Sequence, residues 1–250
     1  MSVPDKPGPW GRLRQFTPAR IGLARAGVGV ATHEQLAFQL AHARARDAVH
    51  APFDAAGVAE ELGRRRFSVV RLASAAPDRA AYLMAPDLGR KLADAARWKL
   101  SELACDFASD LVLVVADGLS ALAVHRHAVP LIDALAARLQ GVKIGTVAVV
   151  ERGRVAIGDE IGAALNAKLT AVLIGERPGL SSPDSLGVYL TWAPKAGRKD
   201  SERNCISNIR PEGLGYAAAA DKLAYLITEA LKRQLTGVQL KDETGAALLA

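Results

Sequence analysis

The sequence predicts an α/β protein: a Rossmann-like, mostly parallel sheet with helices on both faces, preceded by an N-terminal helical segment. Short apolar runs alternate with helical patterns from residue 66 onward, which is the order of βαβ units. Several runs are continuously apolar, as in residues 111–116, and strands that are buried on both faces have this pattern. Half of the 250 residues are hydrophobic, so the chain can bury a large core.

The first part of the chain has a different character. Residues 1–16 are rich in Pro and Gly and predict a flexible tail. Residues 17–65 predict the helical segment, with one helix over residues 33–50 and a second over residues 54–66.

The start of the first helix carries a capping signal. Thr32 is followed three residues later by Gln35, which matches a capping box, so we expect Thr32 to be the N-cap. Gly63 is expected near the end of the second helix.

Residues 66–250 predict the Rossmann-like domain. Its expected strands are residues 67–74, 110–121, 144–155, 170–179 and 185–194. Its expected helices are residues 86–104, 127–140, 158–168 and 215–235. The polar stretch 197–216 is expected to be a long connection, and long loops in compact domains are often functional; the alternative is a solvated connection.

Composition limits the class of protein. The formal net charge of +6 is spread along the chain and favours anionic partners without choosing among them. Two cysteines, Cys105 and Cys205, offer neither a disulfide framework nor a CxxC zinc motif. No stretch resembles a signal peptide or reaches transmembrane length, so we expect a reduced, soluble, intracellular protein.

Three strand ends suggest a ligand crevice. In open parallel sheets, ligands bind outside the carboxyl ends of the strands. Those ends read ADGLSA (116–121), VERGRV (150–155) and IGERPGL (174–180), and each combines glycine with a charged or hydroxyl residue. Each loop taken singly is an ordinary turn, but three on one sheet edge indicate a crevice.

Familiar catalytic motifs do not match. The segment from Gly118 resembles a nucleophile elbow but has Leu122 at the second glycine position. Two glycines after residue 26 begin a dinucleotide fingerprint that lacks the third, and there is no Walker A motif. His125 and His127 are two residues apart, so on a helix they point to different faces, which argues against a metal pair.

Three long segments carry a family resemblance. They are TPARIGLARAGVGVATHEQLAFQLAHARARDAVH, LVVADGLSALAVHRHAVPLIDAL and GDEIGAALNAKLTAVLIGERPGLSSPDSLGVYLTWAPKAGRKDSERNCISNIRPEGL. Together they closely resemble the light (small) chain of ethanolamine ammonia-lyase, from about Thr17 to Arg210 and more loosely beyond.

The resemblance implies a function. The family is an adenosylcobalamin-dependent carbon–nitrogen lyase that converts ethanolamine to acetaldehyde and ammonia. It implies that residues 66–250 bind the cobalamin base-on, which agrees with the absence of an Asp-x-His-x-x-Gly motif. Ethanolamine and the radical chemistry are expected on a large TIM-barrel chain, in an oligomer with six of each chain. Neither nucleic acid nor membrane is an expected partner, and the expected location is the cytoplasm, with enclosure in a bacterial microcompartment left open.

The resemblance also implies site residues. By position, the family's cobalamin contacts fall on Val155, Glu176 and Cys205, and Asp117 and Ser120 are further candidates. It assigns no catalytic residue and no metal ligand to this chain. From the residues alone, the preferred reading of Glu176 is an ion pair with the adjacent arginine or another neighbour.

Two other hypotheses come from different classes. The basic charge would suit a nucleic-acid-binding module, but aromatics are only 5% and no recognition motif is present. A stand-alone nucleotide-binding enzyme would suit the fold, but phosphate-loop signatures are missing. Whether the apolar faces of the N-terminal helices serve assembly or the core is left open.

Overall fold

The computed structural model describes residues 9–17, 19–103 and 109–243. Its helices are α1 Pro9–Leu13, α2 Thr32–His50, α3 Ala55–Arg64, α4 Arg79–Met84, α5 Asp94–Leu103, α6 Ala121–Ala136, α7 Ile157–Ala164 and α8 Tyr216–Arg233. Its strands are β1 Arg25–Ala26, β2 Gly29–Val30, β3 Val69–Ala73, β4 Leu111–Ala116, β5 Ile144–Glu151, β6 Leu169–Gly175, β7 Leu186–Trp192 and β8 Arg203–Ile209.

The main sheet has six strands in the order β3-β5-β4-β6-β7-β8. The first four are parallel, whereas β7 and β8 run antiparallel to their neighbours. The predicted α/β class with a mostly parallel sheet is therefore confirmed. The strands β1 and β2 form a separate two-stranded hairpin.

Helices cover both faces of the sheet. One core lies between the sheet and α3, α6 and α8, and a second core lies between the sheet and α5 and α7. Strand β4 contributes to both, because alternate residues point to opposite faces. Its six residues are all buried, with Leu113 in the first core and Val114 in the second. Burial on both faces of the sheet therefore explains the continuous apolar runs of the sequence.

The long polar stretch was predicted to be a connection, and this is wrong in part. It contains β8, an edge strand whose buried side chains include Arg203, Ile206 and Ile209. A bulge in the pairing of β7 with β8 breaks the strict alternation that would reveal a strand. Polar residues on an edge strand also discourage pairing with another chain, so the composition resembles a loop.

The prediction of one helix over residues 86–104 is also wrong. A short helix, α4, precedes a 3₁₀ turn at Leu88–Arg90, and α5 begins only at Asp94. Between them, Leu92 forms an antiparallel bridge with Ser74, and the amide of Ala93 donates to the carbonyl of Ala73. This pairing with the end of β3 holds the chain extended and interrupts the helix.

The N-terminal segment is less helical than predicted. The β1–β2 hairpin occupies part of residues 17–31, so helix α2 begins only at Thr32. The N-cap is Ala31, without a side-chain cap, rather than Thr32. Residues 9–16 form α1 and a 3₁₀ turn, and residues 1–8 and Cys105 lie outside the described part. The domain boundaries proposed from the sequence stay predictions.

Helix α6 starts earlier than predicted, at Ala121. The Oγ of Ser120 accepts from the amide of Ala123, so the helix follows β4 after a very short turn. None of the described helices combines the length and the apolar character needed to cross a lipid bilayer.

Candidate functional site

The carboxyl ends of β4 and β6 are in backbone contact. The amide of Leu119 donates to the carbonyl of Gly175 at 2.9 Å. A Cβ on Gly175 would lie 2.1 Å from the carbonyl oxygen of Ser120, and one on Gly118 would lie 2.3 Å from that of Gly175. Gly118 also has a φ of +56°, which other residues adopt at a cost. Glycine at these two positions brings the ADGLSA and IGERPGL loops together, as the sequence predicted.

Asp117 joins the end of β4 to the end of β5. Its carboxylate accepts from the amide of Gly153 at 3.2 Å and from the guanidinium of Arg79 at 3.2 Å. Burial raises the pKa of Asp117 to about 6, although Arg79 and the amides of Gly153 and Arg152 act in the opposite direction. The side chain is buried and does not line the cleft described below, so its observed role is to hold the loops together.

Arg79 connects three parts of the molecule at this edge. Its guanidinium donates to the carbonyl of Val49 at 2.7 and 2.9 Å and to the carbonyl of Gly118 at 2.7 Å. These bonds come in addition to the ion pair with Asp117. The last turn of α2 is thereby fastened to the ADGLSA loop.

The hydroxyl of Ser120 is also engaged in hydrogen bonds within the fold. Its side chain caps α6 and donates to the carbonyl of Pro183 at 2.9 Å, and the residue is fully buried. It does not line the cleft, so neither of the two further candidates from the sequence, Asp117 and Ser120, lies at the surface of the cleft.

Two adjoining clefts lie beside the strand ends. One, of about 400 Å³, includes Gly118, Ile174, Glu176 and Ser207 in its lining. The other, of about 530 Å³, extends toward α7 and the loop before β8. Both are lined by Arg154, Val155 and Tyr189, so they form one continuous groove.

The structure brings Val155 and Glu176 together in the first cleft. Val155 lies just before α7 and is partly buried, and Glu176 follows β6 directly. The sequence placed both residues at the carboxyl ends of two strands, in VERGRV and IGERPGL, and the structure has them just past those ends. The strands are β5 and β6, with β4 between them in the sheet.

The carboxylate of Glu176 is held by three donors. One oxygen accepts from the hydroxyl of Ser207 at 2.5 Å, and the other accepts from the hydroxyl of Ser185 and from the amide of Asn208 at 3.2 Å. Among the described residues, the partners of the Glu176 carboxylate do not include Arg177, which is exposed. The charge of Glu176 is therefore fixed in direction by hydroxyl and amide groups, not by a neighbouring cation.

Cys205 lies beside this cleft but is not part of its lining. It is on β8 directly opposite Tyr189. Partial burial raises the pKa of Cys205, the neighbouring Tyr189 hydroxyl acts in the opposite direction, and the nearby Glu176 raises the pKa further. The thiol therefore stays protonated at neutral pH, although the residue has an exposed surface.

Sequence reasoning missed two aromatic residues of the site. Tyr82 is fully buried on α4 and donates to the carbonyl of Gly153 at 3.1 Å, while the guanidinium of Arg154 lies 4.2 Å from its ring centroid. Burial raises the pKa of Tyr82 to about 12, so it is a hydrogen-bond donor at neutral pH. Helix α4 was not predicted, so nothing in the sequence pointed to Tyr82 as a site residue. Tyr189 could have been identified, because it lies in the predicted strand that became β7.

Comparison with known proteins identifies the family of this chain. The family model for the ethanolamine ammonia-lyase light chain (EutC) matches residues 7–241. The chain belongs to the ethanolamine ammonia-lyase light chain family. The family resemblance drawn from the sequence is confirmed, and the residues of both clefts lie within the matched region.

Members of the ethanolamine ammonia-lyase light chain family from several bacteria are similar over nearly their whole length. The small subunit of Azotobacter vinelandii is 55% identical over 250 residues, which cover 98% of this chain and 93% of the relative. That of Ralstonia nicotianae is 56% identical over 245 residues, covering 96% and 91%. That of Xanthomonas campestris pv. campestris is 56% identical over 256 residues, covering 100% and 94%. Membership of this family favours the first of the three functional hypotheses.

Proposed function

We propose that this chain is the small subunit of an adenosylcobalamin-dependent ethanolamine ammonia-lyase, which converts ethanolamine to acetaldehyde and ammonia. In this proposal the chain binds the cobalamin base-on against a large TIM-barrel subunit that holds ethanolamine. The complex contains six copies of each subunit and works in the cytoplasm, free or inside a microcompartment. Family membership and the names of the relatives support it.

One observation carries the assignment of the cofactor site. Val155 and Glu176, which follow two different strands, line one open cleft beside the strand ends, and Cys205 is next to this cleft, opposite Tyr189. Open parallel sheets bind ligands at this position. Two of the three residues implied by the family resemblance line this cleft and the third is adjacent to it, which supports the proposed cofactor site.

The chemistry of the cleft suits a corrinoid. A corrin ring is flat and apolar with amide groups at its edge. The cleft offers glycine backbone at Gly118 and Gly175 for close approach and apolar surface at Val155 and Ile174. Glu176 and Ser207 add polar groups that suit amides. None of the described residues lining either cleft is a histidine, which suits a cobalamin that keeps its own base on cobalt.

The residues of this chain would bind and orient, and none would react. Bound adenosylcobalamin would supply the radical by homolysis of its cobalt–carbon bond. Glu176, already fixed by three donors, would accept from a corrin amide or a ribose hydroxyl. Val155 would pack against the ring, and Cys205 would offer a polarisable edge. The large subunit would close the open side of the cleft and exclude water.

Reconstitution tests the proposal. The purified chain alone is expected to release no ammonia from ethanolamine, and mixing it with the large subunit and adenosylcobalamin is expected to restore activity. The large subunit alone with adenosylcobalamin is the control. Ammonia-lyase activity of the isolated chain, or no gain on mixing, would contradict this division of labour.

A further inference from the structure

Helix α2 is exposed to an unusual degree. It has 19 residues, so it is about 28 Å long at 1.5 Å per residue, yet Ala48 is its only buried residue. Its attachment to the sheet domain is at the last turn, where Arg79 binds the carbonyl of Val49. An isolated helix of this length is marginal in water, because helices in proteins are stabilised mainly by packing.

The preceding residues pack along α2 rather than against the sheet. Arg14 pairs with Glu34 at 3.2 Å, and Arg20 donates to the carbonyl of Ala37 at 3.0 Å. The guanidinium of Arg20 also lies 5.4 Å from the ring centroid of Phe38. We call residues 9–50 the N-terminal arm.

The arm presents an apolar stripe. Leu36 and Leu40 are four residues apart, so they share one face of α2, and they are 59% and 53% exposed. The same face continues toward Asp47, which lines a cavity of about 530 Å³ between α2, Leu122 at the start of α6, and Pro183. Arg44 and Asp47, both exposed, lie between these leucines and the cavity, so the apolar surface of this face is the pair of leucines. Two exposed leucines next to a cavity are surface of the kind that partners cover.

The charge of the arm indicates what covers it. Residues 9–50 contain six arginines and two carboxylates, so the arm carries a net charge of +4 out of the +6 of the whole chain. Two such arms would repel each other, which argues against a second copy of this chain. An acidic partner surface would be attracted.

The position of the cavity indicates which partner this is. Pro183 belongs to the loop that follows Glu176, and its carbonyl binds Ser120 at the edge of the ADGLSA loop. A partner on the stripe would therefore also approach the edge of the sheet where the cleft lies. The proposed function requires the large subunit at that edge.

We propose that the arm docks on the large subunit, with Leu36 and Leu40 against an apolar ridge on an acidic surface, and that this ridge inserts a side chain into the cavity. The inference rests on the proposed function. It assigns to α2 a role in assembly that the sequence left open.

A paired substitution tests the inference. Leu36→Gln with Leu40→Gln removes the apolar stripe but keeps good helix formers, and His42→Gln, on the opposite side of α2, is the matched control. Binding of the full chain to the purified large subunit is measured by biolayer interferometry at several salt concentrations. We expect the paired variant to bind about tenfold or more weakly than wild type, the control to bind like wild type, and wild-type affinity to fall with salt.

The outcomes are distinguishable. Circular dichroism of the paired variant must match wild type, and a variant with Leu36→Ala and Leu40→Ala replaces it if the glutamines disturb folding. If wild type does not bind the large subunit, the proposed function fails. If wild type and the stripe variants bind equally well, only the docking inference fails. If wild type sediments as a dimer and the substitutions dissociate that dimer, the stripe mediates self-association and the docking inference is overturned.

Discussion

At the scale of single residues, the position of Glu176 explains why a charged residue follows a buried strand. Its carboxylate is held at the sheet edge by hydrogen bonds from the hydroxyls of Ser185 and Ser207 and from the amide of Asn208. Gly187 leaves room for it, since a Cβ there would lie 2.9 Å from one carboxylate oxygen. The charge is thus placed at the cleft and is not paired with Arg177.

Replacing Glu176 should weaken cofactor binding. Glu176→Ala is expected to raise the apparent dissociation constant of adenosylcobalamin about tenfold or more in the assembled enzyme, because a hydrogen bond to a charged group contributes about 1.5–3 kcal/mol. The measurement is an absorbance titration, with assembly checked by gel filtration. Ser207→Ala, which removes one donor and keeps the carboxylate, is the control and should have a smaller effect. An unchanged titration for Glu176→Ala would exclude Glu176 from the site.

Asp117 should make stability depend on pH. Its pKa of about 6 in the fold is above its ordinary value of 3.8, so the folded protein holds the proton more tightly than the unfolded chain. The contribution of Asp117 to stability is present below about pH 4 and is lost as the pH rises to about 6. Asp117→Asn removes this dependence.

The free energy of unfolding of Asp117→Asn is therefore expected to rise relative to wild type between pH 4 and pH 7, by on the order of 2 kcal/mol. Urea unfolding at a series of pH values measures the difference, in which contributions from other groups cancel. A difference that is constant across this range would show that the ion pair with Arg79 keeps Asp117 charged.

At the scale of elements, the contact between the ends of β4 and β6 is the tightest part of the site. Gly175→Ala would place a methyl group 2.1 Å from a backbone oxygen that cannot move without displacing the start of α6. We expect a loss of about 3 kcal/mol in the free energy of unfolding, at the upper end of the usual cost of overpacking.

The control for this substitution is another glycine. Gly63 in α3 has no atom within 4 Å of a Cβ position, so Gly63→Ala should stabilise the protein by about 0.5–1 kcal/mol. Thermal unfolding of both variants compares them. Equal effects of the two substitutions would contradict the close contact at the strand ends.

The sequence correctly predicted strands in which every residue is buried and most are apolar. It failed for segments whose secondary structure is determined by contacts with distant parts of the chain. Strands β4 and β6 were visible because every residue in them is buried. Strand β8 was not visible, because Arg203 is buried by an ion pair with Asp159 at 2.8 Å, which no apolar pattern records. The pairing of Leu92 with Ser74 likewise overrides a helical pattern. The position of Glu176 and Val155 at the strand ends could be predicted from the sequence, but the donors that fix Glu176 come from other strands and loops.

At the scale of the whole molecule, the cleft lies on the surface of this chain and is open to one side. A flat ligand on it would have one face against Val155 and Tyr189 and the other exposed, whereas ligand sites usually bury most of the ligand. Cobalamin is therefore expected to bind the isolated chain at least tenfold more weakly than the complex with the large subunit. Absorbance titrations with and without the large subunit measure this, and equal affinity would show that this chain alone completes the site.

The fastening of α2 to the ADGLSA loop by Arg79 has a thermodynamic consequence. The same guanidinium holds the last turn of the arm and the carbonyl of Gly118, a residue that lines the cleft. Any partner that selects one position of the arm shifts the population of loop positions, and any ligand of the loop shifts the arm by the same free energy. Under the proposed function, we therefore expect subunit association and cofactor affinity to be coupled, and we expect Arg79→Leu, which removes the guanidinium, to allow each to vary without the other.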